Sequence, residues 1–197
     1  MLKVQGVKYS FPDQKATLKG ISFKVDAGEI VSIVGETGAG KTTLLKCLAG
    51  FYTLDSGTIS VDGEQVLGPD KNLIPGHPEI KHVAQDFNLL PNHTIEENIT
   101  AELHQYFKYE KNEVVKNVLT QLNIWKIRKS LPRLLSGGQQ QRIALAKALA
   151  EQPKLLLMDE PFNQQDSWNK VEVLDAIKSL AKEHDIAIVL VTHQYED

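Results

Sequence analysis

One short segment constrains the fold of this chain more than any other feature: Gly35-Glu36-Thr37-Gly38-Ala39-Gly40-Lys41-Thr42. It fits the pattern G-x-x-x-x-G-K-[ST], in which glycines let the backbone curl so that several N–H groups face one anion. Such a loop needs a strand before it and a helix after it, because the positive end of the helix points at the same anion. Residues 29–34 are mostly apolar and predict a buried central strand, and Lys41–Leu48 predicts a helix that ends at Gly50.

The residue types in this phosphate loop (residues 35–42) indicate a nucleoside triphosphate as its ligand. We expect Lys41 to place its charge near the β- and γ-phosphates and the Thr42 hydroxyl to bind Mg²⁺. A glycine-rich turn that matches by chance is the alternative, and the strand and helix around the loop argue against it. The loop does not define the reaction, because kinases, GTPases and motors share it.

Strand and helix patterns alternate along the rest of the chain. Leu2–Tyr9 and residues 21–25 alternate as strands of a half-exposed antiparallel sheet do. Further strands are predicted at 58–61, closed by an Asp62-Gly63 turn, and at 80–84, 154–158 and Ala187–Thr192, with helices at 112–122, 138–150 and 168–183. We therefore predict an α/β fold: a phosphate-loop NTPase core with a mainly parallel sheet, an N-terminal antiparallel β subdomain, and a helical insertion at about 94–150 that opens with a capping box at Thr94.

Composition sets wide limits on function. Lys and Arg total 22 against 25 Asp and Glu, so the net charge of −3 does not favour binding to nucleic acid, and we expect no nucleic-acid partner. The lone Cys47 cannot form an internal disulfide, and its apolar neighbours predict a buried side chain in a cytosolic protein. No apolar run approaches the roughly 20 residues that span a bilayer, so any membrane role is expected to need a partner.

A second chemical signal is the apolar run Leu155-Leu156-Leu157-Met158 followed by Asp159 and Glu160. Adjacent residues at a strand end point in different directions. Asp159 is therefore a candidate to organise Mg²⁺, while Glu160 is a candidate general base facing an attacking water. Two acids that merely mark the solvated end of a strand are the alternative, which the nearby phosphate loop makes less favourable.

One segment separates the phosphate-loop families. Leu135-Ser136-Gly137-Gly138-Gln139-Gln140-Gln141-Arg142, here called the signature segment, resembles the LSGGQ signature of the ABC (ATP-binding cassette) ATPases. With the phosphate loop and the two acids, the resemblance covers essentially the whole chain. It implies a single ABC ATPase domain over residues 1–197 that binds ATP with Mg²⁺ and hydrolyses the ATP.

The resemblance also implies roles for residues outside these motifs. Phe11 would stack on adenine, Gln85 would contact the metal and relay movement to a transporter, and His193 would hydrogen-bond the γ-phosphate. Thr43 keeps a hydroxyl beside Thr42, where Ser-Thr is common. Taken alone, Phe11 would be a core aromatic and His193 a structural or exposed side chain.

The signature segment has its own physical interpretation. Ser136, Gly137 and Gly138 are predicted to open a helix, so they offer a hydroxyl, N–H groups and a positive dipole end as a second anion site. Within one chain this site is not expected to serve the phosphate held by the phosphate loop. The resemblance implies a head-to-tail dimer in which Ser136, Gly138 and Gln139 close on the ATP of the other subunit.

Three features depart from the usual family pattern. Asn163-Gln164-Gln165-Asp166 replaces Ser-Ala-Leu-Asp in the D-loop at the dimer interface, and Phe11 replaces a tyrosine or tryptophan. The chain ends four residues after His193, where relatives usually continue through more strands and helices, so a truncated C-terminus is expected.

These motifs predict the ATPase subunit of an ABC transporter, cytoplasmic and peripheral on the inner face of the cell membrane through a transmembrane permease. The signature segment with Asp159-Glu160-Pro161-Phe162 is similar to bacterial importers of iron, polyamine, sugar and thiamine groups. The alternatives are a lipoprotein-release or division-type ATPase, a soluble ABC clamp that acts without a transporter, and a nucleotide-binding module that no longer turns over.

Overall fold

The computed structural model describes residues 1–12, 16–104, 106–161 and 167–192. The described residues form the strands β1 (Leu2–Tyr9), β2 (Leu18–Val25), β3 (Ile30–Val34), β4 (Ser56–Val61), β5 (Glu64–Gln65), β6 (Ile80–Val83), β7 (Leu155–Asp159) and β8 (Ala187–Thr192). The α-helices are α1 (Lys41–Leu48), α2 (Ile95–Thr100), α3 (Lys108–Gln121), α4 (Gly137–Ala150) and α5 (Ser167–Glu183). Short 3₁₀ helices cover Trp125–Ile127 and Pro132–Leu134. The α/β fold predicted from the sequence is confirmed.

The N-terminal sheet has the strand order β2-β1-β4-β5, and all its pairings are antiparallel. Along β1, Leu2, Val4 and Val7 are buried while their neighbours face solvent, as the alternating sequence predicts. Asp62 and Gly63 join β4 to β5 with positive φ angles of 50° and 86°, the combination that a two-residue hairpin turn favours. The two-residue strand β5 is too short to leave a pattern in the sequence.

The second sheet is parallel, with the strand order β3-β8-β7-β6. Strand β7 is buried throughout, as expected for a central parallel strand covered on both faces. The prediction of a buried central strand before the phosphate loop is wrong: among the described strands β3 pairs only with β8, and its residues are half-buried or, at Ser32, exposed. An apolar run indicates that the two faces of a strand are covered. It does not indicate whether the strand pairs with a neighbour on each side.

Two apolar cores lie on opposite faces of the parallel sheet. Leu155 and Leu157 of β7 pack with β1, β4 and α1, whereas Leu156 and Met158 pack with α2 to α5. The alternation follows from the period of two residues in a strand. The sheet is thus held between the antiparallel sheet with α1 on one side and the helices on the other.

Helix α2 fixes the loop that precedes it. Its Thr94 cap and Glu97 form the predicted capping box, since Glu97 N donates to Thr94 Oγ1 and Thr94 N donates to the Glu97 carboxylate. One turn later lies Asn98, whose side chain is fully buried. Its Oδ1 accepts from Leu90 N at 2.7 Å, and its Nδ2 donates to the carbonyls of Leu90, His93 and Thr94 at 3.0–3.1 Å. The Asn98 side chain therefore supplies the loop backbone with hydrogen-bond partners that water would otherwise supply.

We predict that Asn98→Ala lowers the free energy of unfolding by about 2–4 kcal/mol, because partly buried backbone groups of the loop lose their partner. Asn112→Ala on the exposed face of α3 is the matched control and should change stability by less than about 0.5 kcal/mol. Urea denaturation followed by circular dichroism measures both. Equal effects of the two substitutions would contradict the role given to Asn98.

Candidate active site

The carboxyl ends of the parallel strands place the predicted motifs along one edge of the sheet. The phosphate loop follows β3, Asp159 and Glu160 end β7, and Gln85 follows β6. Strand β8 lies between β3 and β7, so the loop and the acids stand about two strand spacings, or roughly 10 Å, apart. That gap is wide enough for a phosphate group and its ligands.

The phosphate loop leads directly into α1, which begins at Lys41. Its N-cap is Gly40, with a positive φ of 90° and no side chain to bond the first N–H groups of the helix. The Lys41 ammonium donates to the carbonyls of Gly35 at 2.7 Å and Glu36 at 2.9 Å, which folds the lysine back over its own loop. Of its three donors, these bonds leave one for another acceptor. A glycine cap, an unpaired first turn and a fixed cation together favour an anion at this point.

A cavity of about 330 Å³ opens at this loop. We call it the phosphate-loop cavity. Its lining consists of Phe11, Thr17, Thr37, Gly38, Gly40, Lys41, Thr42, Thr43 and Glu160. The fold therefore gathers a hairpin aromatic, the loop and one of the two acids around one space.

The two acids at the end of β7 differ in their surroundings. Asp159 is 8% exposed and belongs to the ladder with β8, and it is not among the residues that line the cavity. Glu160 leaves the strand with a φ of 47°, while its N–H donates to the carbonyl of Val191 at 2.9 Å. A left-handed backbone is uncommon for a residue with a Cβ and is found where surrounding structure enforces it. Here it occurs in a residue that lines the cavity.

The signature segment opens α4 as predicted, with Ser136 as the N-cap. Gln139 N donates to Ser136 Oγ at 3.3 Å, and Ser136 N donates to Gln139 Oε1 at 3.1 Å, which forms a capping box. Because the serine oxygen acts there as an acceptor, its own O–H remains a donor. The phosphate-loop cavity is not lined by Ser136, Gly138 or Gln139. The exposed Gln85 does not line it either. His193 and the D-loop segment with Asp166 lie outside the described residues.

Thr17 lines the cavity without having been predicted. It stands just before β2, and its N–H donates to the carbonyl of Tyr9 at 2.9 Å, which closes the end of the hairpin beside Phe11. A Cβ at Gly40 would come within 3.1 Å of Thr17 Cγ2, so the hairpin also favours glycine at that cap. No motif marks Thr17, because its place depends on a contact between the two sheets.

A larger cavity of about 650 Å³ lies elsewhere, between α3 and the ends of α4 and α5. Leu149, Leu180 and Ile186 are among the residues that line it, and it contains none of the residues predicted from the motifs. It adjoins the amino ends of β7 and β8, whereas ligands of open α/β sheets bind at the carboxyl ends. We therefore assign the chemistry to the smaller cavity.

The combination of sheet, loop and cavity defines a phosphate-loop nucleotide-binding protein. Residues 18–163 match the family model described as ABC transporter. The chain is 40% identical over 197 residues to the glutamate transport ATP-binding protein GluA of Corynebacterium efficiens, covering 98% of this chain and 81% of the relative. It is 38% identical to the aliphatic sulfonates import ATP-binding protein SsuB 2 of Agrobacterium fabrum, covering 94% and 67%.

A solved structure gives the same result at the level of the fold. The dimeric post-hydrolysis state of an ATP-binding cassette bound to ADP and Pi matches with a TM-score of 0.83 and 29% identity, covering 98% of this chain and 88% of the other. The chain belongs to the ABC transporter family, and it is an ATP-binding subunit that hydrolyses ATP.

Metal clusters and membrane spans are both absent from the residues that the structure describes. In that part of the chain, no group of three or more His, Cys, Asp and Glu side chains is placed to hold a metal ion. Of the helices within the described ranges, none is long and apolar enough to cross a membrane.

We predict that Gly40→Ala weakens ATP binding by about tenfold or more, because a Cβ strains the left-handed cap and meets Thr17. Gly63→Ala is the matched control, since Gly63 also has a positive φ but a Cβ added there would meet nothing within 4 Å. The control should cost about 1 kcal/mol of stability while ATP affinity is kept. Titration calorimetry and urea denaturation measure the two effects, and equal ATP affinities in both variants would contradict the assignment.

Cys47 is 1% exposed on α1, as predicted, and burial, with a smaller effect of Asp55, raises the pKa of its thiol to about 12. The thiolate is the reactive form, so at about pH 8 the folded protein should react with a disulfide reagent at least about 100-fold more slowly than the denatured chain. Absorbance of the released thiol reports both rates. Fast labelling of the folded protein would show that α1 exposes this side chain.

Proposed function

We propose that this chain powers a bacterial importer, and that it hydrolyses ATP in the phosphate-loop cavity with Glu160 as the general base. The observation that carries the proposal is the common lining of that cavity by Lys41, Thr42 and Glu160, which follow the carboxyl ends of two different strands. The relative named for import of aliphatic sulfonates supports the direction of transport. The substrate is imported by the permease, while this subunit supplies the energy.

Several residues in and around the cavity have a definite task in this proposal. Phe11 stacks on the adenine ring, and N–H groups of the phosphate loop, those of Glu36 and Thr37 among them, surround the phosphates at the start of α1, whereas the N–H of Ala39 donates to the Glu36 carbonyl at 3.2 Å. Lys41 stabilises the charge that develops on the γ-phosphate oxygens. Glu160 orients a water and accepts its proton as the water attacks the γ-phosphorus, and the bond from that phosphorus to the bridging oxygen breaks to release ADP and phosphate. His193 is proposed to hydrogen-bond the same phosphate.

The residues present fit Mg²⁺ as the companion ion of ATP. Thr42 offers a hydroxyl on the cavity wall and Asp159 a carboxylate at the end of the neighbouring strand ladder, and Gln85 adds an amide oxygen on the next loop. Oxygen ligands, few from the protein and the rest from phosphate and water, are what Mg²⁺ prefers. A dense cluster of acidic and histidine ligands is not needed for this ion. Bound there, Mg²⁺ would neutralise charge between the β- and γ-phosphates.

We further propose that hydrolysis requires a second copy of the chain in head-to-tail arrangement. The O–H of Ser136 and the N–H groups at the start of α4 form an anion site that the phosphate-loop cavity of the same chain does not use. Ser136, Gly138 and Gln139 would close on the nucleotide of the partner copy. The dimeric state of the matched cassette structure supports this arrangement.

The permease is proposed to dock on the exposed loop around Gln85 and on the helical segment of about 94–150, which would act as a subdomain of the single ATPase domain. In this arrangement the chain is cytoplasmic and reaches the membrane only through the permease.

We predict that Glu160→Gln lowers the rate of ATP turnover by at least about 100-fold while ATP binding is kept, because the amide cannot accept the proton of the attacking water. Glu183→Gln at the exposed end of α5, outside the segment proposed to dock the permease, is the matched control and should hydrolyse ATP at the wild-type rate. Phosphate release and titration calorimetry on the full chain with its permease measure the two quantities. Unimpaired hydrolysis in Glu160→Gln would remove Glu160 from the mechanism.

A further inference from the structure

Three aromatic rings form a cluster at the rim of the phosphate-loop cavity. Tyr9 and Tyr52 are stacked, with ring centroids 5.0 Å apart and planes 7° from parallel. Phe11 stands almost perpendicular to both, with its centroid 5.1 Å from that of Tyr9 and 5.8 Å from that of Tyr52. Of the three, only Phe11 is among the residues that line the cavity. The tyrosines therefore contact the ring that faces a ligand without lining the cavity themselves.

The tyrosine pair ties Phe11 to the frame of the site. Tyr9 ends β1, while Tyr52 follows α1, the helix that the phosphate loop opens. Both rings are partly buried and pack against the core that α1 shares with the antiparallel sheet. The Lys46 ammonium, on the last turn of α1, lies 5.6 Å from the centroid of the Tyr52 ring. The position of Phe11 is thus linked to the same helix that carries Lys41 and Thr42.

Perpendicular and stacked contacts of this kind are favourable and directional, so they restrict the orientation of a ring. A side chain that is already fixed in its binding orientation loses less entropy when a ligand arrives. Phe11 also lacks the polar group through which a tyrosine or tryptophan could be anchored by a hydrogen bond. Its orientation must then come from ring packing alone.

We propose that Tyr52 and Tyr9 are positioning residues for nucleobase recognition, which hold the Phe11 ring at the distance from the phosphate loop that a nucleoside triphosphate spans. This inference rests on the proposed function, because it takes the base to stack on Phe11. It goes further by assigning the affinity for the base, and not for the phosphates, to two residues outside the cavity. The tyrosines act through Phe11 and do not touch the ligand.

The test compares two ligands that share the phosphates and differ in the base. Titration calorimetry on the full chain with Mg²⁺ gives the dissociation constants of ATP and of inorganic tripolyphosphate. Tyr52→Leu should weaken ATP binding by about three- to tenfold, the value of one or two aromatic contacts, while tripolyphosphate binding changes by less than about twofold. Tyr52→Phe keeps the ring and should restore the affinity for ATP.

Two further variants make the assignment specific. Phe107→Leu, which removes a ring from the exposed stacked pair of Phe107 and Tyr109 on the helical segment, is the matched control and should leave both affinities unchanged. In a Phe11→Leu background, Tyr52→Leu should have no further effect on ATP, because the ring it positions is gone. If Tyr52→Leu does not fold, Tyr52→Met, which fills a similar volume, takes its place.

The outcomes separate the inference from the proposed function. Equal weakening of ATP and tripolyphosphate would show that Tyr52 supports the fold of the loop, and unchanged ATP affinity would show that it positions nothing; each result overturns the inference. Wild-type protein that binds tripolyphosphate as tightly as ATP would also overturn it, while phosphate binding by the loop would stand. Wild-type protein that binds neither ligand would overturn the proposed function together with the inference.

Discussion

Parallel pairing of β3, β8, β7 and β6 is the constraint on which the site depends. Because all these strands point the same way, the residues that follow them emerge at one edge of the sheet, whatever their distance along the chain. The interposed strand β8 sets the gap between the phosphate loop and Glu160. The backbone of Glu160 is itself bonded to Val191 of that strand, so the ladder that spaces the two motifs also orients the acid. A change in strand order would leave every motif intact and dissolve the cavity.

Left-handed backbone occurs at many places in this protein, and some of them border the phosphate-loop cavity. Gly40 at the start of α1 and Glu160 at the end of β7 both have positive φ angles. At Gly40 glycine removes most of the conformational cost, and a Cβ there would also make a tight contact of 3.1 Å with Thr17 Cγ2. At Glu160 the cost is not removed, since the residue has a full side chain. The buried ladder of β7 and β8 offsets it.

The elements with strong local patterns could be predicted from the sequence with the right bounds, such as Leu2–Tyr9, Lys41–Leu48 and Ala187–Thr192. Most residues of the phosphate loop, with Phe11 and Glu160, were also predicted to share one site, and the structure places them around one cavity. The neighbours of β3, the cavity position of Thr17 and the ring contacts of Tyr52 could not be predicted. Each depends on the tertiary contacts between the sheets and the helices. A hydrophobic period of two or 3.6 residues predicts a strand or a helix but does not indicate which other element packs against it. The role of Asn98 in holding its loop could not be predicted either, because its partners are backbone groups, which no side-chain pattern marks.

The start of α4 shows why one copy of the chain gives an incomplete account of hydrolysis. The capping box between Ser136 and Gln139 uses the serine oxygen as an acceptor and so fixes the hydroxyl without consuming its proton. The N–H groups of Gly137 and Gly138 in the first turn have no acceptor one turn earlier in the helix. We propose that these donors form a preorganised anion site, and α4 contributes no residue to the described lining of the phosphate-loop cavity. In this proposal the anion that they bind is the phosphate held by a second copy. The proposed dimer is therefore supported by the hydrogen bonding of this helix as well as by family membership.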